Sequence, residues 1–244
     1  MSRHHVDRTR HRLGLLGAAL ALSLGLSSCS LLDRGSEPVE AETPSASATA
    51  DLYDSQFTRD GTFQSHISVD GVKGVDFVYT LYPTKSTPRT NEWYPRGAKF
   101  FSFTFQAYDL TKKLRDPFAT KRKVYLDRIK VTSRTITSDG GKTQRPYELD
   151  ASARTITFDP QPVSTKYGML ITSPKGAFEL RNQKIKGTSL DTRGIELTFT
   201  AKVSIQERPG SSSFVQRTVK QTVPIAIFES EKKTEKAKIP VNAN

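Results

Sequence analysis

Between Gly61 and Phe228 apolar and polar residues alternate at period two, the spacing that turns one face of a strand to a core and the other to water. Phe63, Ser65, Ile67 and Val69 share one face, and Thr62, Gln64, His66 and Ser68 the other. Val75, Phe77, Tyr79 and Leu81 repeat the pattern, as do Phe101, Phe103, Phe105 and Ala107 with Ser102, Thr104 and Gln106 between them. The clearest case places Ile195, Leu197, Phe199, Ala201, Val203 and Ile205 opposite Glu196, Thr198, Thr200, Lys202, Ser204 and Gln206. After Arg208, Pro209, Gly210 and Ser211, the segment Phe214 to Phe228 resumes it with Val215, Val219, Val223, Ile225 and Ile227, which predicts a long antiparallel hairpin. Pro224 has no N–H, so its strand should lie at an edge or carry a bulge.

From Val124 to Thr137 the apolar phase slips between Leu126 and Ile129, and a bulge near Asp127 and Arg128 repairs it. Asp139, Gly140 and Gly141 supply a turn into Tyr147 and Leu149, and Thr155 to Phe158 reads as a short strand ending before Pro160. No segment of helical length carries a helical stripe; Asp109 to Arg115 has room for one turn. About eight to ten strands without helical crossovers predict an all-β fold, an antiparallel, immunoglobulin-like β-sandwich over residues 53–229.

The N-terminus breaks the pattern. Met1 to Arg12 is polar and cationic, and Leu13 to Leu26 is free of charge. That run is shorter than the roughly 20 apolar residues that cross a bilayer and fits a transient export signal. No consecutive arginines occur in the leader, which favours the general export route. Leu26, Ser27, Ser28 and Cys29 follow, and this tetrapeptide resembles the lipobox of bacterial lipoproteins. The resemblance implies a diacylglyceryl group on the Cys29 sulfur, cleavage just before Cys29 and acylation, by palmitate for example, of the new amino terminus. It covers about thirty residues. The chain then divides into a signal peptide (1–28), the lipidated cysteine and a tether (29–52), the sandwich (53–229) and a frayed tail (230–244). The tether is rich in Ser, Ala, Thr, Pro and Glu, a composition expected to be disordered. The expected location is the extracytoplasmic face of the cell membrane.

Composition narrows the partners. From 37 basic and 25 acidic residues, cleavage after Ser28 removes four arginines and one aspartate and leaves a formal charge of +9. Outside the membrane that charge favours anionic lipid headgroups, phosphate-bearing wall polymers or an acidic envelope protein. Nucleic acid is not expected, given the export signal and the lack of any recognisable nucleic-acid module. Cys29 is the only cysteine, so packing alone must hold the sandwich.

Candidate chemistry is sparse. His66 falls on a polar strand face, and Asp127, Asp139, Asp150 and Asp159 lie at strand ends or turns, where Asp commonly satisfies backbone N–H groups. No HExxH or GxSxG occurs, so no catalytic set, metal or cofactor is expected. Two stretches remain as candidate binding sites. One is the loop with Trp93, Tyr94 and Arg96, whose aromatics could stack on a ligand or else fold back as a plug. The other is the cationic run Lys112 to Lys130, centred on Lys121, Arg122 and Lys123, a candidate anion patch. The expected function is a non-enzymatic binding or structural module at the cell envelope. The alternative is a carrier of lipid or another apolar ligand, and it requires two sheets splayed around a cavity.

Overall fold

A computed structural model of the chain describes residues 55–85, 90–138 and 140–229. Among the described residues are ten strands: β1 (Phe63–Val69), β2 (Val72–Pro83), β3 (Lys99–Asp109), β4 (Val124–Thr137), β5 (Glu148–Ser152), β6 (Ser164–Thr165), β7 (Gly168–Leu170), β8 (Phe178–Ile185), β9 (Thr192–Gln206) and β10 (Phe214–Ala226). One sheet runs β1-β2-β3-β8 and the other β10-β9-β4-β7-β6, with β5 also paired to β4. Every strand pairing in both sheets is antiparallel. The chain leaves the first sheet between β3 and β4 and returns to it at β8, beside β3. It leaves again at β9, beside β4. These three crossings interlock the two layers of the antiparallel sandwich.

The predicted alternation decides which side chains meet between the sheets. Ile195, Leu197, Phe199, Ala201, Val203 and Ile205 of β9 are all buried. Across the layer Phe199 meets Phe103, Tyr79 and Phe101, with ring centroids 4.8, 5.6 and 6.4 Å apart. Tyr147 packs edge-on against Phe101 at 5.1 Å. At these strands the inner faces touch ring to ring, and aromatic side chains occupy the space an apolar ligand would need. The core draws on side chains from Phe57 to Ile227, all within the described sandwich.

The expected bulge is at Asp127. Leu126 pairs with Val203 and Arg128 with Lys202, so Asp127 has no partner and Ile129 and Val131 return to the core. β10 pairs with β9 from Phe214 through Ala226 and lies at the sheet edge, where Pro224 costs no ladder bond. The Pro224 carbonyl accepts a hydrogen bond from Ser55 Oγ at 2.8 Å.

Thr155 to Phe158 corrects the sequence expectation. Its β-branched residues predict a strand, but the chain forms the helical turn α2 (Ala153–Ile156), closed by Thr157 N–H donating to the Ala153 carbonyl at 3.0 Å. The reason lies in the neighbouring edge. β5 pairs with β4 only as far as Arg128, and β7 takes over that edge at Leu126 and Tyr125. The turn lifts the chain off the edge between them and buries Ala153. Asp109 to Arg115 forms no helix, and its turn is followed by a 3-10 turn at Phe118–Thr120.

Two facing buried hydroxyls are left without compensation. The Tyr79 phenol has no hydrogen-bond partner, nor has Ser65 Oγ directly across from it on β1, and burial pushes the Tyr79 phenol well above its ordinary ionisation range. Tyr79→Phe should therefore stabilise the domain by about 1 kcal/mol, raising the melting midpoint by roughly 2–4 °C. A lowered midpoint in calorimetry would show that the hydroxyl is satisfied after all.

Strand directions fix two ends of the sandwich. The chain enters through α1 (Gln56–Asp60), where Ser55 and Thr58 hydrogen-bond to β10 near Pro224 and Ala226. Ile227 leaves at the same end, bridged to Trp93. The far end carries the turn after Val69, the β3–β4 connection and the β9–β10 turn. At about 3.3 Å per residue, β9 makes the sandwich roughly 50 Å tall.

Candidate functional site

The far end is built around a buried acid. Asp109 is in phase with the inward residues of β3, and its side chain is 1% exposed. Its carboxylate accepts Thr111 N–H at 3.2 Å, Thr111 Oγ1 at 2.7 Å, and Arg122 N, Nε and Nη2 at 2.8, 3.2 and 2.8 Å. Arg122 also donates to the Lys73 and Gly74 carbonyls at 2.9 and 2.8 Å, tying the β1–β2 hairpin to the β3–β4 connection. Burial pushes the Asp109 carboxyl up, but the bonds from Arg122 and Thr111 outweigh it and bring the carboxyl down to about 2. Gly74 sits at φ +68°, and a Cβ there would lie 2.7 Å from Thr111 Cγ2, so only glycine lets the two loops approach.

This base holds the connection in shape. Lys121 is buried, and its Nζ donates to the Lys113 carbonyl. Asp116 accepts Lys113 N–H at 2.9 Å and returns its own N–H to the Lys113 carbonyl at 3.1 Å. Lys175 lies 5.3 Å from the centroid of the Phe118 ring. What the loop displays is different in kind: Leu110 is 65% exposed and Leu114 63%, alongside exposed Lys112, Lys113 and Arg115. Among the described residues no acidic side chain pairs with those three cations. A cleft of about 600 Å³ opens at the same end, lined by Val72, Lys73, Ile205, Val215 and Arg217 among others.

The cationic run therefore divides three ways. Lys121 and Arg122, taken from the sequence as an anion patch, are buried and consumed as internal donors, and Lys123 is half-buried. That placement corrects the expectation: an inward acid at the end of β3 needed a cation, and Arg122 supplies it. Arg128 and Lys130 lie on the outer face of β4, 2.6 and 3.8 Å from Asp150. Lys112, Lys113 and Arg115 are the exposed cations of the run that no acidic side chain pairs among the described residues, and they stand beside two leucines whose exposure the sequence did not reveal. The readable signal was Leu110 and Leu114, four residues apart between two strands, with Lys112, Lys113 and Arg115 beside the second.

The aromatic loop lies at the opposite end. Trp93 is 1% exposed, packs edge-on against Phe57 at 4.9 Å and donates its indole N–H to the Thr90 carbonyl at 3.1 Å. Its indole is thus a plug and offers no stacking surface. Tyr94 is half-buried, 6.0 Å from Phe228, and Arg96 is exposed. Beneath them Lys99 is buried and donates to the carbonyls of Tyr94, Pro95 and Gly97 at 2.8, 2.8 and 3.0 Å. Burial, with the nearby Arg96 charge adding, pushes the Lys99 ammonium down to about 8, so it stays charged at neutral pH and shapes the loop.

His66 lies on the outer face of the first sheet as expected, with Nδ1 2.6 Å from Asp76 Oδ2. Among the described residues no three His, Cys, Asp or Glu side chains converge to hold a metal, and no helix is long and apolar enough to cross a membrane. Leu26, Ser27, Ser28 and Cys29 lie outside the described residues, as do Asp139 and the tail from 230 onward. No protein-family model matches the chain, and no curated protein is detectably similar to it in sequence.

Proposed function

We propose that the chain is an exported lipoprotein, anchored through Cys29, that presents its β-sandwich at the extracytoplasmic face of the membrane as a non-enzymatic binding module. The observation that carries this reading is an opposition within the fold. The helical turn α1, which follows the lipobox and tether in sequence, lies at one end, and a loop displaying leucines beside cations that no acidic side chain pairs among the described residues stands on a braced base at the other. A domain held by one end and equipped at the far end suits presentation to a partner. Aromatic contact between the inner faces favours this module over a carrier of apolar ligands.

Cys29→Ala in a bacterial host that processes lipoproteins tests the anchor. The wild-type chain should incorporate labelled palmitate and partition into detergent, and the variant should do neither and keep its leader. Two acyl chains give stable anchoring where one binds only marginally, so loss from the membrane fraction should be near complete. Equal labelling and equal partitioning of the two chains would remove the reading.

A further inference from the structure

We infer that the loop from Leu110 to Thr120 is a membrane-docking tip that takes an anionic phospholipid surface, with Leu110 and Leu114 entering the interface and Lys112, Lys113 and Arg115 meeting headgroup phosphates. The inference deepens the binding-module reading by naming the partner of the same loop. It does not need the Cys29 anchor.

Three observations carry it. First, the two leucines are the most exposed large apolar side chains in the described sandwich, and they sit four residues apart in one loop. A solitary exposed leucine is ordinary, but two in one loop at a domain tip make a surface that water solvates poorly. Second, the charge beside them is of one sign. Lys112, Lys113 and Arg115 are exposed, and the loop's one acid, Asp116, is turned to the Lys113 backbone N–H. Leucine between cations is the composition of an interfacial segment, in which apolar burial and attraction to anionic headgroups act together. A protein partner of acidic character would match the cations but offers no equal reason for the leucines. Third, the loop is braced from beneath by the Asp109–Arg122 pair and by the Lys121 bond to the Lys113 carbonyl. Little conformational freedom is then lost on docking.

Geometry permits docking on the membrane that holds the anchor. The residues between Cys29 and Ser55 span at most about 85 Å when extended, more than the roughly 50 Å height of the sandwich, so the tip can be turned back to the same surface.

The test uses the chain from Ser30 to Asn244, which keeps the whole core and lacks both leader and acylation site. Sedimentation is measured with phosphatidylcholine vesicles and with mixed phosphatidylcholine–phosphatidylglycerol vesicles. Binding should be confined to the mixed vesicles and fall with added salt. Lys112→Gln, Lys113→Gln and Arg115→Gln together should weaken it about a hundredfold, and Leu110→Asp with Leu114→Asp at least tenfold. All these side chains are exposed, so the variants should melt as the parent does. Lys130→Gln with Lys220→Gln, on the outer face of the second sheet, should bind as the parent does. Absence of parent binding to mixed vesicles, equal binding to neutral ones, or loop variants that bind undiminished would each overturn the proposal. Because the tested Ser30–Asn244 chain lacks Cys29, such a failure leaves the Cys29 experiment untouched. Conversely, unchanged partitioning of Cys29→Ala leaves the vesicle result standing.

Discussion

Asp109→Ala is expected to lower stability by about 3–5 kcal/mol, because it strands the Arg122 guanidinium in a site where the side chain is only 10% exposed. In a domain of this size that is a fall in melting midpoint of roughly 10 °C or more. The loss is a penalty of mismatch more than a measure of the pair's worth. Asp109→Leu combined with Arg122→Met should recover most of it, as replacing both members of a buried pair often does. The double variant still loses the bonds to the Lys73 and Gly74 carbonyls, so the β1–β2 turn should exchange its amides faster even where the midpoint returns. Acid gives a second handle. Asp109 titrates at about 2 in the fold against an ordinary 3.8, so its contribution is fully present above pH ~4 and is lost as the pH falls toward 2. That contribution amounts to about 2 kcal/mol, and the Asp109→Ala variant should lose correspondingly less stability between pH 5 and pH 2 than the parent. Parallel pH profiles for the two chains would mean that the carboxylate is not held by Arg122.

The same residue shows how much of the molecule the sequence spells out. Period-two alternation identifies β9 and β10, their hairpin, and the phase slip that becomes the bulge at Asp127, because each is a local consequence of one face being buried. Extending the inward phase of Phe101, Phe103, Phe105 and Ala107 by one step at each end reaches Lys99 and Asp109. Two ionisable side chains aimed inward demand internal partners, and counting charges along Lys112 to Lys130 misses that demand. Arg122 is likewise in phase with Val124 and Leu126 and so points inward. The placement of β3 beside β8 and β4 beside β9 was not legible, since those pairings join segments far apart in the chain and are chosen by packing across the layer. Nor was α2, whose residues favour a strand until the neighbouring edge is seen to be taken. The display of Leu110 and Leu114 depends on the buried brace beneath them, which is a tertiary property.

Trp93→Ala is expected to cost about 3–5 kcal/mol, as removal of a large ring from a well-packed core does. The indole closes the end at which the chain enters and leaves. It packs on Phe57 of α1, its N–H is satisfied by the Thr90 carbonyl, and its own carbonyl accepts Phe228 N–H at 2.8 Å beyond the end of β10. The indole thus joins the helical turn α1 to the β2–β3 connection, and the Trp93 backbone ties both to the chain leaving β10. Trp93→Phe should cost less, since it keeps part of the ring contact and gives up the indole donor. Because Trp93 is the only tryptophan in the chain, its fluorescence reports on this joint alone. Emission should be blue-shifted and shielded from acrylamide in the fold, and should move to the red in one step with global unfolding. A ring that served a surface ligand would instead be quenched freely in the folded protein, and Trp93→Ala would then melt with the parent.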